Sequence, residues 1–291
     1  MRALVTGGAG FVGTNLVNRL IKDNYEVIVF DNLSTGKEEN INPKAKFFKV
    51  DISDNNVFDE KRIRDYSVDD VVNGIDVIFH LAALPRIGPS FKNPKEVCDV
   101  NVGGTQNILE LARKMEIPVI YAGSSSFWGG VYKNPYTFSK WQGEELCKMY
   151  EHIYELPVTI CRFYNVYGDY MPTEGEYRTV LPIFLEQYKN GETFTITGDG
   201  KQRRDFTHVD DIVDAMMRVV QLNKWGNTYE LGRGKNHSIK EVVDMFPDPS
   251  WTYIDMIPGE ARNTLCRSEL ARKKLKWEPK INLEDWIKEQ L

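Results

Sequence analysis

The amino-acid sequence predicts an α/β protein built on a doubly wound parallel sheet. Short apolar segments alternate with longer helical patterns through residues 1–165. The apolar segments are too short for helices and are rich in Val, Ile and Phe, which is typical of strands buried on both faces. Parallel strands joined through helices take right-handed crossovers, and these cover both faces of the sheet with helices.

Strands and helices can be placed in order along this part of the chain. The strand candidates are Ala3–Thr6, Val27–Phe30, Lys46–Val50, Val77–His80, Val119–Ala122 and Val158–Arg162. The helix candidates between them are Phe11–Lys22, Val97–Met115 and Pro135–Glu155. This alternation of strand and helix indicates a parallel sheet.

The chain has a different character after Arg162. Residues 163–204 contain many glycine and proline turns, and no proline- or serine-rich linker separates them from the first part. A second unit is therefore expected to pack tightly on the first. The helix candidates in this half are Val180–Asn190, Asp210–Val220, with Thr207 or Asp210 as its N-cap, and Leu283–Gln290.

Charge and cysteine content exclude several classes of protein. The chain has 37 Lys and Arg against 42 Asp and Glu, and its net charge of −5 argues against a general nucleic-acid or anionic-membrane surface. The four cysteines lack metal-binding spacing and are expected to be reduced, packed thiols. No apolar run approaches the roughly 18 residues of a membrane span, and no secretory signal precedes the first strand. We expect a cytoplasmic protein without a metal, a nucleic-acid partner or a membrane contact.

A glycine-rich loop joins the first strand to the first helix. Its sequence is Thr6-Gly7-Gly8-Ala9-Gly10-Phe11-Val12-Gly13, which satisfies both GxGxxG and GxxGxxG spacing. Glycines permit a tight turn and a close approach of the backbone to a pyrophosphate, while the helix N-terminus offers free N–H groups. An ordinary glycine-rich turn is the alternative, but the position between strand and helix favours nucleotide binding.

An acidic residue at the end of the second strand supports this interpretation. Asp31 lies 24 residues after Gly7, near the spacing expected for a carboxylate that bonds a ribose 2′-OH. The same carboxylate would repel a 2′-phosphate, so the sequence favours NAD over NADP. A turn Asp before Asn32 is the alternative. Asp51 and Ile52 follow the third strand and are candidates for the adenine end of the cofactor.

The reacting centre is predicted at a YxxxK motif, Tyr136 to Lys140. Residues four apart on one helix face the same way, and a nearby ammonium favours a phenolate. We therefore expect Lys140 to lower the pKa of Tyr136. Ser124 lies twelve residues earlier, at the end of the fifth strand, where open α/β sheets bind ligands. Such a Ser–Tyr–Lys set can deprotonate an alcohol while NAD takes the hydride from the same carbon.

These motifs, together with others in the same order, resemble the extended short-chain dehydrogenases/reductases of the NAD-dependent nucleotide-sugar epimerase/dehydratase group. The resemblance covers nearly the whole chain. The further motifs are His80-Leu81-Ala82-Ala83, Asp99-Val100-Asn101-Val102-Gly103-Gly104-Thr105, Arg162-Phe163-Tyr164-Asn165-Val166-Tyr167-Gly168, Gly198-Asp199-Gly200-Lys201-Gln202-Arg203-Arg204-Asp205-Phe206 and His208-Val209-Asp210-Asp211.

The resemblance implies two interleaved domains. Residues 1–165 plus about 205–231 would form an NAD-binding Rossmann domain, and residues 166–204 plus 232–291 a smaller nucleotide-sugar-binding domain. It also implies a homodimer formed through the helices Val97–Met115 and Pro135–Glu155.

The resemblance further assigns roles to individual residues. Tyr136 would be the base, Lys140 would tune its pKa and bind the nicotinamide ribose, and Ser124 would bond the sugar hydroxyl. Asn101 would support the catalytic helix or the ribose. The expected cofactor-binding residues are Gly7, Gly10, Phe11, Val12, Gly13, Asp31, Asn32, Asp51, Ile52, Leu81, Ala82, Ala83, Asn101, Tyr136 and Lys140. The expected substrate-binding residues are Ser124, Ser125, Asn165, Arg204 and Arg262, with Asn165 and Arg204 at the sugar diphosphate.

The reaction that fits best is 4-epimerisation of a UDP-hexose such as UDP-glucose or UDP-galactose. A 4,6-dehydratase needs an acid/base pair, and in similar dehydratases an Asp-Glu pair follows the active-site hydroxyl. Ser125 and Ser126 occupy those positions here, and the Glu typical of UDP-glucuronate decarboxylases is also absent. A 4,6-dehydratase, a 4-keto reductase or a non-catalytic NAD-sensing protein are the alternatives.

Two departures from the family pattern concern the sugar side. The loop before Tyr136 is shorter than usual and keeps only residues 130–135, which is expected to leave the sugar pocket more open. Ile257 occupies a position where relatives often carry an Arg, so one phosphate contact is in doubt. Arg262 or Arg86 is a candidate to replace that contact.

Overall fold

The computed structural model describes residues 1–54, 71–256 and 259–291. In this part of the chain one parallel sheet is formed by β1 (Arg2–Thr6), β2 (Glu26–Asp31), β3 (Lys46–Lys49), β4 (Val77–His80), β5 (Val119–Ser124), β6 (Val158–Phe163) and β11 (Thr228–Leu231). The strand order is β11-β6-β5-β4-β1-β2-β3. Successive strands are added toward one edge from β1 to β3 and toward the other edge from β4 onward, so the order reverses between β1 and β4. The predicted doubly wound parallel sheet is confirmed, and every predicted strand agrees with an observed strand within two residues.

Shorter strands pair outside the main sheet. Among the described residues, β7 (Val166–Tyr167) pairs with β10 (Thr207–His208), β8 (Phe194–Thr197) with β13 (Trp251–Ile254), and β9 (Arg203–Asp205) with β12 (Asn236–Ser238). These pairs lie in the half of the chain that the sequence predicted to be rich in turns.

The helices flank the main sheet and the short strands. They are α1 (Phe11–Lys22), α2 (Ile87–Lys92), α3 (Pro94–Cys98), α4 (Thr105–Met115), α5 (Pro135–Tyr154), α6 (Val180–Lys189), α7 (Val209–Gln221), α8 (Ile239–Val243), α9 (Leu270–Leu275) and α10 (Leu283–Gln290). Two 3₁₀ turns, Glu38–Asn40 and Ser125–Gly129, are also present.

The predicted helix Val97–Met115 is not a continuous α-helix. A π-helical segment, Asp99–Gly104, joins α3 to α4. This segment packs very closely against the end of the sheet, because a Cβ on Gly104 would lie 2.7 Å from the Ile52 side chain. Such π segments occur most often near functional sites.

Apolar side chains cover both faces of the main sheet. On one face α1 and α7 pack against residues such as Val5 and Phe79. On the other face α4 and α5 pack against residues such as Leu4 and Ile78. Strand residues alternate between these two clusters, as the two-residue period of a strand requires. A third cluster, which includes Phe184 and Trp286, lies among the short strands and α6, α8 and α10.

The N-cap of α7 differs from the predicted one. His208 caps this helix, and its Nδ1 atom accepts a hydrogen bond from the Asp210 backbone N–H at 3.2 Å. The predicted caps, Thr207 and Asp210, do not take this role. The His208 ring packs edge-on to Tyr167, with 5.1 Å between ring centroids, and this packing holds its nitrogen at the helix end.

The chain returns to the main sheet after leaving it. β11 belongs to the sheet, and α7 packs on the same core. Leu275 and Trp277, from the C-terminal part, also lie in that core. The exact domain boundaries that we predicted, 1–165 plus about 205–231 and 166–204 plus 232–291, stay a prediction. No helix in the described ranges combines the length and apolar character needed to span a membrane.

Candidate active site

The register of the sheet brings the predicted motifs to one edge. Thr6 at the end of β1 pairs with Phe30 of β2 and with His80 of β4. The glycine loop, Asp31 and Leu81 therefore leave neighbouring strands side by side. A cavity of about 760 Å³ opens at this edge and is also lined by Ser124, Tyr136, Lys140 and residues of the C-terminal half. A volume of this size is typical of cofactor and substrate sites.

The glycine loop is packed too tightly for side chains at two positions. Gly7 has φ +72°, and a Cβ there would lie 2.7 Å from the Ala82 backbone nitrogen. A Cβ on Gly13 would lie 2.0 Å from the Gly7 carbonyl oxygen. The Gly7 N–H donates to the Phe30 carbonyl at 2.7 Å, which fixes the loop to β2. The start of α1 therefore lies directly against the loop, and Gly7, Gly10, Phe11, Val12 and Gly13 all line the cavity.

Gly13→Ala is expected to weaken NAD binding at least about tenfold and to lower stability by roughly 1–3 kcal/mol. The added methyl group would meet a backbone oxygen, so the start of α1 must move away from the loop. Isothermal titration with NAD and chemical denaturation measure the two effects. Gly103→Ala is the matched control, because a Cβ there meets no atom within 4 Å. NAD affinity within twofold of wild type would show that the close packing is unimportant.

Asp31 connects β2 to the glycine loop. Its carboxylate accepts hydrogen bonds from the Ala9 N–H at 3.0 Å and from the Leu33 N–H at 2.8 Å. Asp31 is buried and lines the cavity. Its neighbour Asn32 also lines the cavity. Asp51 differs, because its carboxylate accepts from Asn32 and Ser53 and the residue is not among those that line the cavity. The structure thus brings Ile52, and not the Asp51 side chain, to the cavity wall.

Asn101 supports the helix that carries Tyr136. Its Oδ1 atom accepts from the Leu84 N–H at 2.7 Å, and its Nδ2 atom donates to the Leu84 carbonyl and to Ser139 Oγ at 3.1 and 3.0 Å. The sequence left open whether Asn101 supports this helix or the ribose. Its side chain is buried behind the cavity wall, whereas Leu81, Ala82 and Ala83 line the cavity itself.

Tyr136 and Ser124 meet inside the cavity. Ser124 ends β5, and Tyr136 lies in the first turn of α5, which starts at an N-cap formed by Asn134. The Tyr136 Oη and Ser124 Oγ atoms are 3.4 Å apart. The predicted pairing of phenol and hydroxyl is therefore present in the structure, and Ser125 lines the cavity beside them.

The expected effect of Lys140 on Tyr136 is not found. Burial raises the pKa of Tyr136, while the hydrogen bond with Ser124 and the charge of Arg86 act in the opposite direction. The Lys140 Nζ atom lies over the Tyr121 ring, 4.2 Å from its centroid. Burial lowers the pKa of Lys140 to about 8, although the nearby charge of Glu144 acts to raise it. Removal from water outweighs the Ser124 hydrogen bond and the Arg86 charge, so the predicted lowering of the Tyr136 pKa was wrong for this arrangement.

Lys140 is expected to make the protein more stable as the pH rises from about 8 to about 10.4. Its pKa of about 8 in the folded protein lies below the value of about 10.4 in an unfolded chain. The unfolded chain binds more protons between these values, so the free energy of unfolding increases with pH. Lys140→Met has no such group, so its free energy of unfolding minus that of wild type should fall by roughly 1–2 kcal/mol between pH 8 and 10. A difference that does not change with pH would show that Lys140 stays charged. Urea denaturation of both proteins across this range measures it.

A network of buried charges lies behind the reacting residues. Arg162 on β6 contacts Glu144 of α5, with 2.6 Å between NH2 and Oε2, and Glu230 of β11, with 3.4 Å between NH1 and Oε1. The side chains are 7%, 1% and 10% exposed, respectively. Arg162 also stacks on Phe127 at 3.8 Å, and Trp128 Nε1 donates to Glu230 at 2.7 Å. The network therefore joins α5 to the 3₁₀ turn that follows Ser124.

Sequence reasoning did not find this network. The sequence motifs include Arg162, but they do not indicate Glu144 or Glu230 as its partners. A signal was present, because an arginine at the end of an apolar strand needs buried carboxylate partners. The partners themselves lie too far along the chain to be identified from a pattern.

The sugar-side residues are divided between the cavity and the surface. Arg204 lines the cavity and donates to Glu260 Oε2 at 3.0 Å and to the Ala261 carbonyl at 2.7 Å. Asn165 also lines it, and its Nδ2 atom donates to Thr264 Oγ1 at 2.9 Å. Arg262 forms two hydrogen bonds with the exposed Asp199, at 2.8 and 2.6 Å, and does not line the cavity. Ile257 lies outside the described residues.

Arg86 is a cavity residue with an unusual backbone. It directly precedes α2 and has φ +84° and ψ 137°. It lines the cavity near Tyr136, Arg204 and Glu260, whose charges act on its guanidinium. Of the two candidates for the missing phosphate contact, the structure places Arg86 in the cavity and Arg262 at the surface.

In the ranges that the structure describes, no group of three or more His, Cys, Asp or Glu side chains is arranged to hold a metal ion.

Comparison with known proteins gives consistent results for sequence and structure. Residues 3–232 match the sequence profile of the NAD dependent epimerase/dehydratase family. The chain is 36% identical to a putative UDP-glucose 4-epimerase of Methanocaldococcus jannaschii, over 98% of this chain and 95% of that protein.

Solved structures agree over the same length. A UDP-glucose 4-epimerase of Thermotoga maritima, solved with UDP-glucose, matches with a TM-score of 0.86 and 31% identity, over 98% of this chain and 96% of the other. A UDP-glucuronic acid 4-epimerase of Bacillus cereus, solved with UDP-glucuronic acid and NAD, matches with a TM-score of 0.87 and 26% identity, over 99% and 97% of the two chains.

Proposed function

Because the chain belongs to the NAD-dependent epimerase/dehydratase family, within the extended short-chain dehydrogenases/reductases, we propose that it is a nucleoside-diphosphate-sugar 4-epimerase. The substrate we propose is UDP-hexose or a derivative of it, and NAD is the cofactor. The observation that carries this proposal is the pairing of Tyr136 Oη with Ser124 Oγ at 3.4 Å, in the cavity that the glycine loop also lines.

The cavity wall fits a dinucleotide at the glycine loop. Gly7 and Gly13 let the loop, Ala82 and the start of α1 pack directly against one another, and the backbone of this loop lines the cavity at a helix N-terminus, which suits a pyrophosphate. We propose that Phe11 and Val12 contribute N–H groups there, next to Gly10, whose own N–H donates to the Gly7 carbonyl at 3.1 Å. We also propose that Asp31 and Asn32 hold the adenosine ribose, and that Leu81, Ala82 and Ala83 line the path of the cofactor. When bound, NAD supplies the acceptor for the hydride of the sugar carbon and returns that hydride later.

The proposed work of Tyr136 is to remove the proton of the sugar C4 hydroxyl and to return it after the 4-keto sugar has turned. Ser124 bonds the same hydroxyl and keeps it within reach of the phenol. Lys140, which is 5% exposed and lies over the Tyr121 ring, is proposed to bind the nicotinamide ribose.

Epimerisation is favoured over dehydration by the residues next to Ser124. Ser125 and Ser126 line the cavity, and neither hydroxyl can act as the carboxylic acid/base of a dehydratase. Glu260 lies in the same cavity but is paired with Arg204 at 3.0 Å. We propose that Asn165 and Arg204 bind the sugar diphosphate, with Glu260 released when the phosphates arrive. Arg262 is not part of this proposal, because it lies at the surface.

Product analysis tests the proposed reaction directly. The NAD-loaded protein is incubated with UDP-glucose, UDP-galactose, their N-acetyl forms and the corresponding uronates, and products are resolved by NMR. The proposal expects inversion at C4 in at least one of these sugars. If NAD binds and no sugar is inverted, the epimerase proposal fails. A 4-keto-6-deoxy product would identify a dehydratase, and binding of NAD without any nucleotide sugar would identify a sensor.

A homodimer and a cytoplasmic location complete the proposal. The helical surface of residues 97–115 and helix α5 correspond to the pair that relatives are expected to use for dimerisation. Light scattering of the purified protein measures its mass in solution and so tests the dimer.

A further inference from the structure

We propose that Arg86 binds a carboxylate on the sugar, so that the substrate is a nucleoside diphosphate hexuronate. This inference rests on the proposed function, because it names the substrate class of the same site. The sequence motifs assign Arg86 no role beyond that of a candidate to replace one phosphate contact.

The backbone of Arg86 is strained where it enters the cavity. Its φ of +84° with ψ of 137° is a conformation that side chains other than glycine rarely adopt. Strained residues of this kind cluster at ligand-binding sites. Arg86 lies at the cavity wall, directly before α2.

The guanidinium of Arg86 lacks a partner of its own. Among the residues that the structure describes, it forms no hydrogen bond or ion pair. Glu260 is the carboxylate that acts on it most strongly, but Glu260 is bonded to Arg204 at 3.0 Å. Two arginines therefore share one carboxylate in a partly buried wall. An unpaired cation removed from water is costly, and a ligand that brings a negative charge removes that cost.

The position of Arg86 favours the sugar end of the ligand. Its charge acts on Tyr136, the residue proposed to reach the C4 hydroxyl. In a hexuronate the carboxylate is attached to C5, the carbon next to C4, whereas the diphosphate is attached to C1 across the ring. Arg204 is already proposed for the diphosphate. A planar guanidinium binds a carboxylate through two parallel hydrogen bonds, which suits Arg86 to this second anion.

Binding measurements separate this role from a phosphate contact. UDP, UDP-glucose and UDP-glucuronate are titrated into NAD-loaded Tyr136→Phe protein, which should bind sugars without turning them over. The expected result is at least about tenfold tighter binding of UDP-glucuronate than of UDP-glucose. Adding Arg86→Gln to this protein should remove the preference. The affinities for UDP and UDP-glucose should stay within about threefold of those of Tyr136→Phe alone.

Two results would overturn the inference. An equal loss of affinity for all three ligands would assign Arg86 to the diphosphate, and unchanged affinity for all three would leave it without a ligand. Arg86→Gly removes the same charge while accepting the positive φ, so it replaces Arg86→Gln if that variant does not fold. Because the readout is binding, failure of C4 inversion in the wild-type protein would reject the epimerase proposal without deciding the role of Arg86.

Discussion

Tyr136→Phe is expected to lower turnover by roughly 10²–10⁴-fold while NAD stays bound. The substitution removes one hydroxyl, which lies 3.4 Å from Ser124 Oγ, and keeps the ring. That hydroxyl is the group that we propose to take the sugar proton, so the substitution removes the proposed base. The glycine loop and Asp31, which we propose to hold the cofactor, do not depend on it.

To test this prediction, the rate of C4 inversion and the affinity for NAD are measured for Tyr136→Phe and for wild type. Tyr132→Phe is the matched control, because it makes the same chemical change on a side chain that is 81% exposed. The control should retain wild-type turnover. Turnover of Tyr136→Phe within a factor of about three of wild type would remove Tyr136 as the base. A parallel loss of NAD binding would show that the substitution disturbs the fold of the cavity instead.

Arg162→Met is expected to lower the free energy of unfolding by about 3–5 kcal/mol, because it breaks a buried ion pair from one side. Glu144 is 1% exposed and would be left without its buried partner, and Glu230 would lose its contact with the same guanidinium.

Denaturant unfolding of a small set of variants tests this account. Arg262→Met is the matched control, because its bond with Asp199 is equally short, at 2.6 Å, but the two side chains are 53% and 48% exposed. The control should cost at most about 1 kcal/mol. Adding Glu144→Gln to Arg162→Met should recover part of the lost stability, since the uncompensated charge is then gone. Equal losses for Arg162→Met and Arg262→Met would contradict the account.

We expect the same network to affect turnover because of the elements that it connects. Arg162 holds Glu144, which lies one turn after Lys140 on α5, and stacks on Phe127 in the turn after Ser124. The geometry between Tyr136 and Ser124 therefore depends on a charge cluster outside the cavity. Changes to this cluster should alter turnover more than NAD affinity, since the glycine loop lies on a different strand.

Local patterns in the sequence determined the sheet, the helices that cover it and the cofactor loop. Strands such as Val77–His80 carry their signal in consecutive apolar residues, here three before the histidine, and α1 begins at Phe11, within the glycine loop. The pairing of Ser124 with Tyr136 was also predictable, because the strand end and the YxxxK motif each have a known direction. These features depend on neighbours within a few residues along the chain.

The tertiary structure decided everything that depends on distant neighbours or on burial. His208 caps α7 because packing on Tyr167 holds its ring there, and Arg262 is bound to Asp199, 63 residues away in the chain. The pKa of Tyr136 is raised because burial outweighs the charges around it, and a sequence motif carries no information about burial. Arg86 lines the cavity and has no hydrogen-bond or ion-pair partner among the described residues. The sequence could not show this either, since the placement of its charge depends on how separate segments pack.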